Sequence, residues 1–318
     1  MPIDEAFVAA ARKAFNPYGT NSGTEHMAPF LYSLVRMVRP MRVVEFGSGY
    51  TTLFVLRALA DNVKEIEEER AALKEKSAAL GELPPTLQEL VQKKVPSISM
   101  ATPERAAAMV QGAYYKWLNS GEKACSADPA YYLEPYKPHL YSFEKLAEGH
   151  GYVTSMRKVV DEIGHGDLFS HIHTEDFATA SIPAPIDLAW NDDYKYREFF
   201  QAFWPSLNPK GGLMVFHNVP AAENLWDDVQ WMKRQRAKAR DLETLTLQEP
   251  HKVHQNGCAI LRRTTSYEPT FAYNDVDTVY RSILRFMGKA VGPLPKKPRP
   301  SLYRSVRYLV KKKLKELG

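Results

Sequence analysis

From Arg42 to Arg263, short β-rich runs alternate with segments of helical spacing, and this alternation constrains the fold more than any other feature of the chain. RVVEFG (42–47), HLYSFEK (139–145), LFSHIHTE (168–175), PIDLAWND (185–192) and LMVFHNV (213–219) read as strands. Helical patterns begin near Thr51 and recur over 151–164, 197–207 and 221–240. In the third of these, Phe199, Phe200, Phe203 and Leu207 are the apolar members. Strands separated by helices pair in parallel through right-handed crossovers. The expected fold is therefore α/β, with a doubly wound, mainly parallel, seven-stranded sheet. Only the polar HKVHQNG joins LETLTLQ (242–248) to GCAILRR (257–263), which leaves no room for a helix. These two runs should form an antiparallel pair at one edge.

The rhythm stops after the helix at Thr51. A charged run, VKEIEEERAALKEKSAAL, leads into GELPP, SISMATPE and the tyrosine-rich YYLEPYKP. The expected organisation is an N-terminal helical lid (1–40), a core (41–62 and 139–264), an inserted cap (63–138) and a C-terminal extension (265–318). Tyr114, Tyr115, Trp117, Tyr131, Tyr132 and Tyr136 either wall an acceptor pocket or give that cap its own core.

The net charge of +5 conceals an asymmetry. Residues 281–318 hold twelve Lys or Arg and a single acid, Glu316, so the other 280 residues carry −6. An acidic body with a basic tail is not the profile of a core domain that grips nucleic acid, and no nucleic-acid partner is expected. SLYRSVRYLVKKKLKELG (301–318) is an amphipathic helix pattern that suits a membrane surface, a second subunit or the body itself. Neither a signal peptide nor an apolar run long enough to span a bilayer is evident. Two cysteines, Cys125 and Cys258, form neither a disulfide framework nor a metal-ligand spacing. A cytoplasmic setting is expected.

The first strand ends in VVEFGSGYTTL (43–53). Gly47 and Gly49 let the backbone turn sharply and approach a ligand, and the helix near Thr51 directs unpaired N–H groups at the same space. A dinucleotide fingerprint requires a third glycine three residues after the second, where this chain has Thr52. Further acids and polar groups close the later strands: Glu144, then Glu175 and Asp176 before Phe177, then Asp192, then His217 and Asn218.

Taken in order, E-F-G-S-G, F-E-K, T-E-D-F, D-L-A-W-N-D and N-P-K-G-G-L-M-V-F-H-N resemble the motifs of the class I S-adenosylmethionine-dependent methyltransferases. The resemblance spans roughly residues 35–263, interrupted by the 63–138 insertion. It implies S-adenosyl-L-methionine as cofactor. Glu45, Gly47, Ser48, Gly49 and Thr51 would line its methionine and ribose part, and Glu144 would take the ribose hydroxyls. Asp176, or its neighbour Glu175, would hold the adenine with Phe177. A plain surface acid remains the other reading for Glu144, and a loop acid for Asp176. In related enzymes the segment before the first core helix covers the ligand, which makes Thr24, Glu25 and His26 candidates for contacts.

At the reacting end the chain is similar to the metal-dependent O-methyltransferases of the catechol type. There an acid follows the fourth strand and an Asp-Asn pair follows the fifth. Here the positions are Asp192 (or Asp193) and His217-Asn218, so one carboxylate is replaced by imidazole. Three roles stay open for His217: a base or proton relay, a metal ligand with Asp192 and Asn218, and a structural histidine. Magnesium, which favours oxygen ligands, suits this set poorly, and a divalent metal is not expected to be required. The implied activity is methyl transfer to a small-molecule acceptor at oxygen. The alternatives are an N-methyltransferase on an amino acid or peptide, an NAD-linked oxidoreductase, and a non-catalytic binding protein.

Overall fold

A computed structural model describes residues 3–19, 22–78, 127–147, 149–174, 176–177, 181–267 and 282–288. The tyrosine-rich part around Tyr114, Tyr115 and Trp117, the basic tail helix and Glu175 lie outside the described residues. The chain divides into two compact units, one of 1–71 and 134–270, the other of 72–133 and 271–318. Residues 1–40 and the expected core fall in the first unit, and most of the expected cap and of the C-terminal extension in the second. The described residues of the second unit include a 3-10 turn at Pro129–Tyr132, capped by Asp128.

The first unit begins with α1 (Glu5–Ala14), capped by Asp4, whose carboxylate accepts the Phe7 N–H at 2.6 Å. Helix α2 (Met27–Val38) ends where Arg39 turns into the left-handed region. Strand β1 (Arg42–Phe46) follows, then α3 (Tyr50–Ala78), and then β2 (His139–Glu144) and α4 (Gly151–Glu162). The chain continues through β3 (Phe169–His173), β4 (Leu188–Asn191) and α5 (Tyr196–Phe203). It closes with β5 (Leu213–His217), α6 (Glu223–Arg236), β6 (Leu242–Leu247) and β7 (Cys258–Arg263). Every strand read from the sequence is present, most of them shorter by one to three residues.

The sheet order is β3-β2-β1-β4-β5-β7-β6. Strands β1 to β5 pair in parallel, and β7 runs antiparallel between β5 and β6. The order reverses between β1 and β4, so the crevice of a doubly wound sheet lies at their carboxyl ends. Burial follows position. Val43 to Phe46 are all buried on central β1, whereas edge strand β6 leaves Leu245 exposed.

Alternate residues build two apolar layers, one on each face. Val43, Leu140, Leu188, Trp190 and Val215 pack with α1, α2, α3 and α4, including Phe7, Leu31, Leu53 and Phe54. Val44, Phe46, Phe143, Met214 and Phe216 pack with Phe199, Phe200 and Phe203 of α5 and with α6. The period-2 alternation of the strands meets the 3.6-residue face of each helix. One face therefore places Glu45, Ser142 and His217 beneath the N-terminal helices.

Candidate active site at the carboxyl ends of the strands

The turn after β1 is held from three sides. Gly47 sits at φ +89, a conformation that L side chains rarely adopt, and a Cβ there would approach Asp192 Cβ to 3.8 Å. The Ser48 hydroxyl donates to Glu144 Oε2 at 3.2 Å, and Tyr152 on α4 donates its hydroxyl to the Ser48 carbonyl at 2.6 Å. Thr52 Oγ1 accepts the Gly49 N–H at 2.7 Å while donating to Glu45 Oε2 at 2.7 Å.

Glu45 lies beneath this turn, not in the crevice. Its side chain is fully buried, and its oxygens accept from Thr51, Thr52 and Ser142 at 3.1, 2.7 and 3.0 Å. Burial pushes its carboxyl up to about 8, against the pull of those three hydroxyls. Glu45 and Thr51 thus brace the turn from below, a correction to the expectation that they line a ligand.

Glu144 closes β2 as expected. Its Oε1 accepts the Lys145 and Leu146 N–H groups at 2.9 and 3.4 Å, and its Oε2 faces Ser48. Next to it Lys145 reaches Asp193 at 3.0 Å and the Tyr194 hydroxyl at 3.1 Å, so Asp193 belongs to the rim. Asp176 is exposed after β3, in a turn where Thr174 Oγ1 accepts the Asp176 N–H at 3.0 Å. Phe177 is drawn into the aromatic layer against Phe46, Phe143, Phe199 and Phe203, so it does not face the crevice. The reason is burial: an apolar ring four residues past the strand end gains more from the neighbouring core than from a solvent-facing wall.

At the reacting end Asp192 and His217 meet, and Asn218 turns away. His217 Nδ1 lies 2.5 Å from Asp192 Oδ1. The His217 side chain is 1% exposed, against 20% for Asp192. Its ring lies 5.7 Å from that of Trp190, and both His217 Nε2 and Trp190 Nε1 are buried without hydrogen-bond partners among the described residues. The tautomer with Nδ1–H donating to Asp192 satisfies the one polar contact that the ring makes among the described residues. His217 is thus enclosed, with Nδ1 towards the partly exposed Asp192. Its register places it on the Val215 face, under the helices.

Asn218 adopts φ +58 and accepts the Asn256 N–H at 3.0 Å, fastening the β6–β7 loop. Of the three expected metal ligands, Asp192 and His217 are in contact, while Asn218 Oδ1 holds the Asn256 N–H. Glu25 and His26 also face that loop, Glu25 pairing with Lys252 at 2.9 Å and His26 meeting the His251 ring. Thr24 is instead buried, and its backbone bonds to Pro17 and Ala28. Lys252 Nζ also donates to the Gly23 carbonyl at 2.7 Å. Tyr136 donates to the Pro40 carbonyl at 3.0 Å instead of walling a pocket. The sequence reading did not single out Thr52, Ser142 or Tyr152 as site residues. Paired hydroxyl residues six and seven positions after a strand-end acid were the available signal for the first.

No protein-family model matches the chain, and neither does any curated protein. Several solved structures do resemble it. An O-methyltransferase of tomaymycin synthesis from Streptomyces achromogenes, in complex with SAM, matches 82% of this chain and 91% of its own, at 16% identity and a TM-score of 0.47. An O-methyltransferase from Bacillus cereus, in complex with SAH, matches 83% and 93% at 11% identity and a TM-score of 0.48. An SAH-bound methyltransferase from Podospora anserina matches 82% and 89% at 12% identity and a TM-score of 0.47.

Proposed function

We propose that this chain is an S-adenosylmethionine-dependent methyltransferase that acts on a small-molecule acceptor at oxygen. The observation that carries the reading is the Gly47–Gly49 turn at the strand-order reversal, joined by Ser48 to Glu144 at the end of the adjacent strand. The turn fits a ligand that approaches the backbone closely, because Gly47 presents no side chain to the crevice; at Gly49 a Cβ would come 3.1 Å from the Tyr152 hydroxyl that supports the turn. When bound, the cofactor's sulfonium supplies an electrophilic methyl group.

The chain's own residues then have distinct tasks. Gly47 to Gly49 would admit the methionine and ribose portion, and Glu144, which accepts the Ser48 hydroxyl in this structure, would accept those of the ribose. Asp176, exposed beyond β3, faces the adenine side. Asp192, lying over Gly47 and partly exposed, takes the proton of the acceptor hydroxyl. His217 holds Asp192 in place through Nδ1 and touches no acceptor. Proximity and proton removal are the two levers such a site has.

The test is transfer of an isotopically labelled methyl group from S-adenosylmethionine to a panel of phenols, aliphatic alcohols and amino-acid amines. Methylation at hydroxyl groups, lost in Asp192→Asn, supports the proposal. Methylation confined to nitrogen would replace it with the amine-directed reading.

A further inference from the structure

Outside the strand-end crevice, the described residues contain one group of three side chains able to hold a metal ion. His26, Glu249 and His251 each offer a ligand atom, and these atoms lie within 4.8 Å of one another. His26 immediately precedes α2, its side chain making no capping hydrogen bond, and the other two belong to the β6–β7 loop. We propose that these three residues form a zinc-type transition-metal site that fastens the segment before α2 to the β6–β7 loop.

The donor set defines the ion class. Two imidazole nitrogens and one carboxylate oxygen suit a borderline cation such as zinc, whereas calcium and magnesium favour oxygen donors alone. Zinc bonds of about 2.0–2.2 Å in tetrahedral geometry place donor atoms roughly 3.3 Å apart. Donors already within 4.8 Å reach that spacing by small side-chain rotations. Three protein ligands leave a fourth position open to water, and both histidines are exposed, so the ion has a path in.

The loop is built before any ion arrives. Glu249 Oε2 accepts the Gly257 N–H at 2.9 Å, and Asn256 spans the loop by accepting the Glu249 N–H and donating to the Lys252 carbonyl, both at 2.7 Å. The opposing segment packs closely on the loop, since a Cβ on Gly23 would fall 2.1 Å from Gln255 Cβ. The His26 and His251 rings already meet edge to face at 5.0 Å.

Charge is also suitable. Lys252 pairs with Glu25 at 2.9 Å and with Glu249 at 3.1 Å, so two carboxylates face one ammonium and the cluster keeps a net −1. A carboxylate has about four lone-pair sites, so Glu249 retains acceptor capacity beside Lys252 and Gly257. Glu25, the residue next to His26, pairs with Lys252 through Oε1, and its Oε2 is buried without a hydrogen-bond partner among the described residues.

The test uses the untagged full chain, stripped with a chelator and titrated with zinc. One zinc should bind per chain, with two imidazole nitrogens and one carboxylate oxygen visible by X-ray absorption. His26→Gln and His251→Gln should each weaken binding by about a hundredfold or more, beyond the roughly 10–100-fold cost of losing a supporting group. His254→Gln, on the same loop but outside the group, should bind as the wild type does. Zinc should raise the melting temperature of the wild type and not that of the double variant H26Q/H251Q, with matching circular dichroism verifying that both are folded. Failure of the wild type to bind stoichiometric zinc overturns the proposal, as does undiminished binding by the double variant. The outcome is independent of S-adenosylmethionine binding.

Discussion

The Ser48 hydroxyl donates to Glu144 Oε2 at 3.2 Å, joining the turn after β1 to the end of β2 across 96 positions of sequence. A buried carboxylate matched by one hydroxyl is ready to accept another in its place. Glu144→Ala should remove one or two charge-assisted hydrogen bonds, each worth roughly 1.5–3 kcal/mol. S-adenosylmethionine affinity should fall by at least about tenfold, with Glu144→Gln in between. Unchanged affinity in Glu144→Ala, measured by equilibrium dialysis, would reduce Glu144 to a brace for Ser48.

Glu45 imposes a pH dependence on the fold. Its folded-state value of about 8 stands above the ordinary 4.5, so the folded protein binds this proton more tightly than the unfolded chain does. The contribution to stability is full below about pH 4.5, declines as pH rises towards about 8, and is constant above that. Glu45→Gln should remove this decline. Melting temperatures of wild type and variant, recorded from pH 5 to pH 9, should converge at the alkaline end relative to the acid end if the wild type starts higher. Curves that stay parallel across the range would refute the assignment.

Asp192, not His217, is assigned the acceptor's proton. Asp192→Asn should lower kcat by about 10²–10⁴-fold, the usual range for a lost general base, with little change in cofactor affinity. Added magnesium should neither raise turnover nor restore it after chelation, since Asn218 Oδ1 is committed to the Asn256 N–H. Turnover that depends on magnesium would return Asp192 and Asn218 to a metal site.

The strands and their order were legible because a period of two along a strand and a helix between strands leave few topologies open. The positions of Gly47, Glu144 and Asp192 followed, since a strand end fixes where its last side chains emerge. Which way His217, Asn218 and Phe177 point was not legible. Each depends on one residue of register or one backbone angle: the Val215 face for His217, φ +58 for Asn218, the aromatic layer for Phe177. The contacts of Thr52 and Tyr152 with the turn are tertiary and leave only a faint local pattern. The same holds for the approach of Gly23 to Gln255, which joins segments more than 200 residues apart.

Calorimetric titration of the purified chain with S-adenosylmethionine, S-adenosylhomocysteine and NAD tests the central claim most directly. Both sulfur compounds should bind at low micromolar affinity, about −8 kcal/mol, and NAD should give no heat of binding. Saturable binding of NAD, with neither sulfur compound bound, would contradict the account.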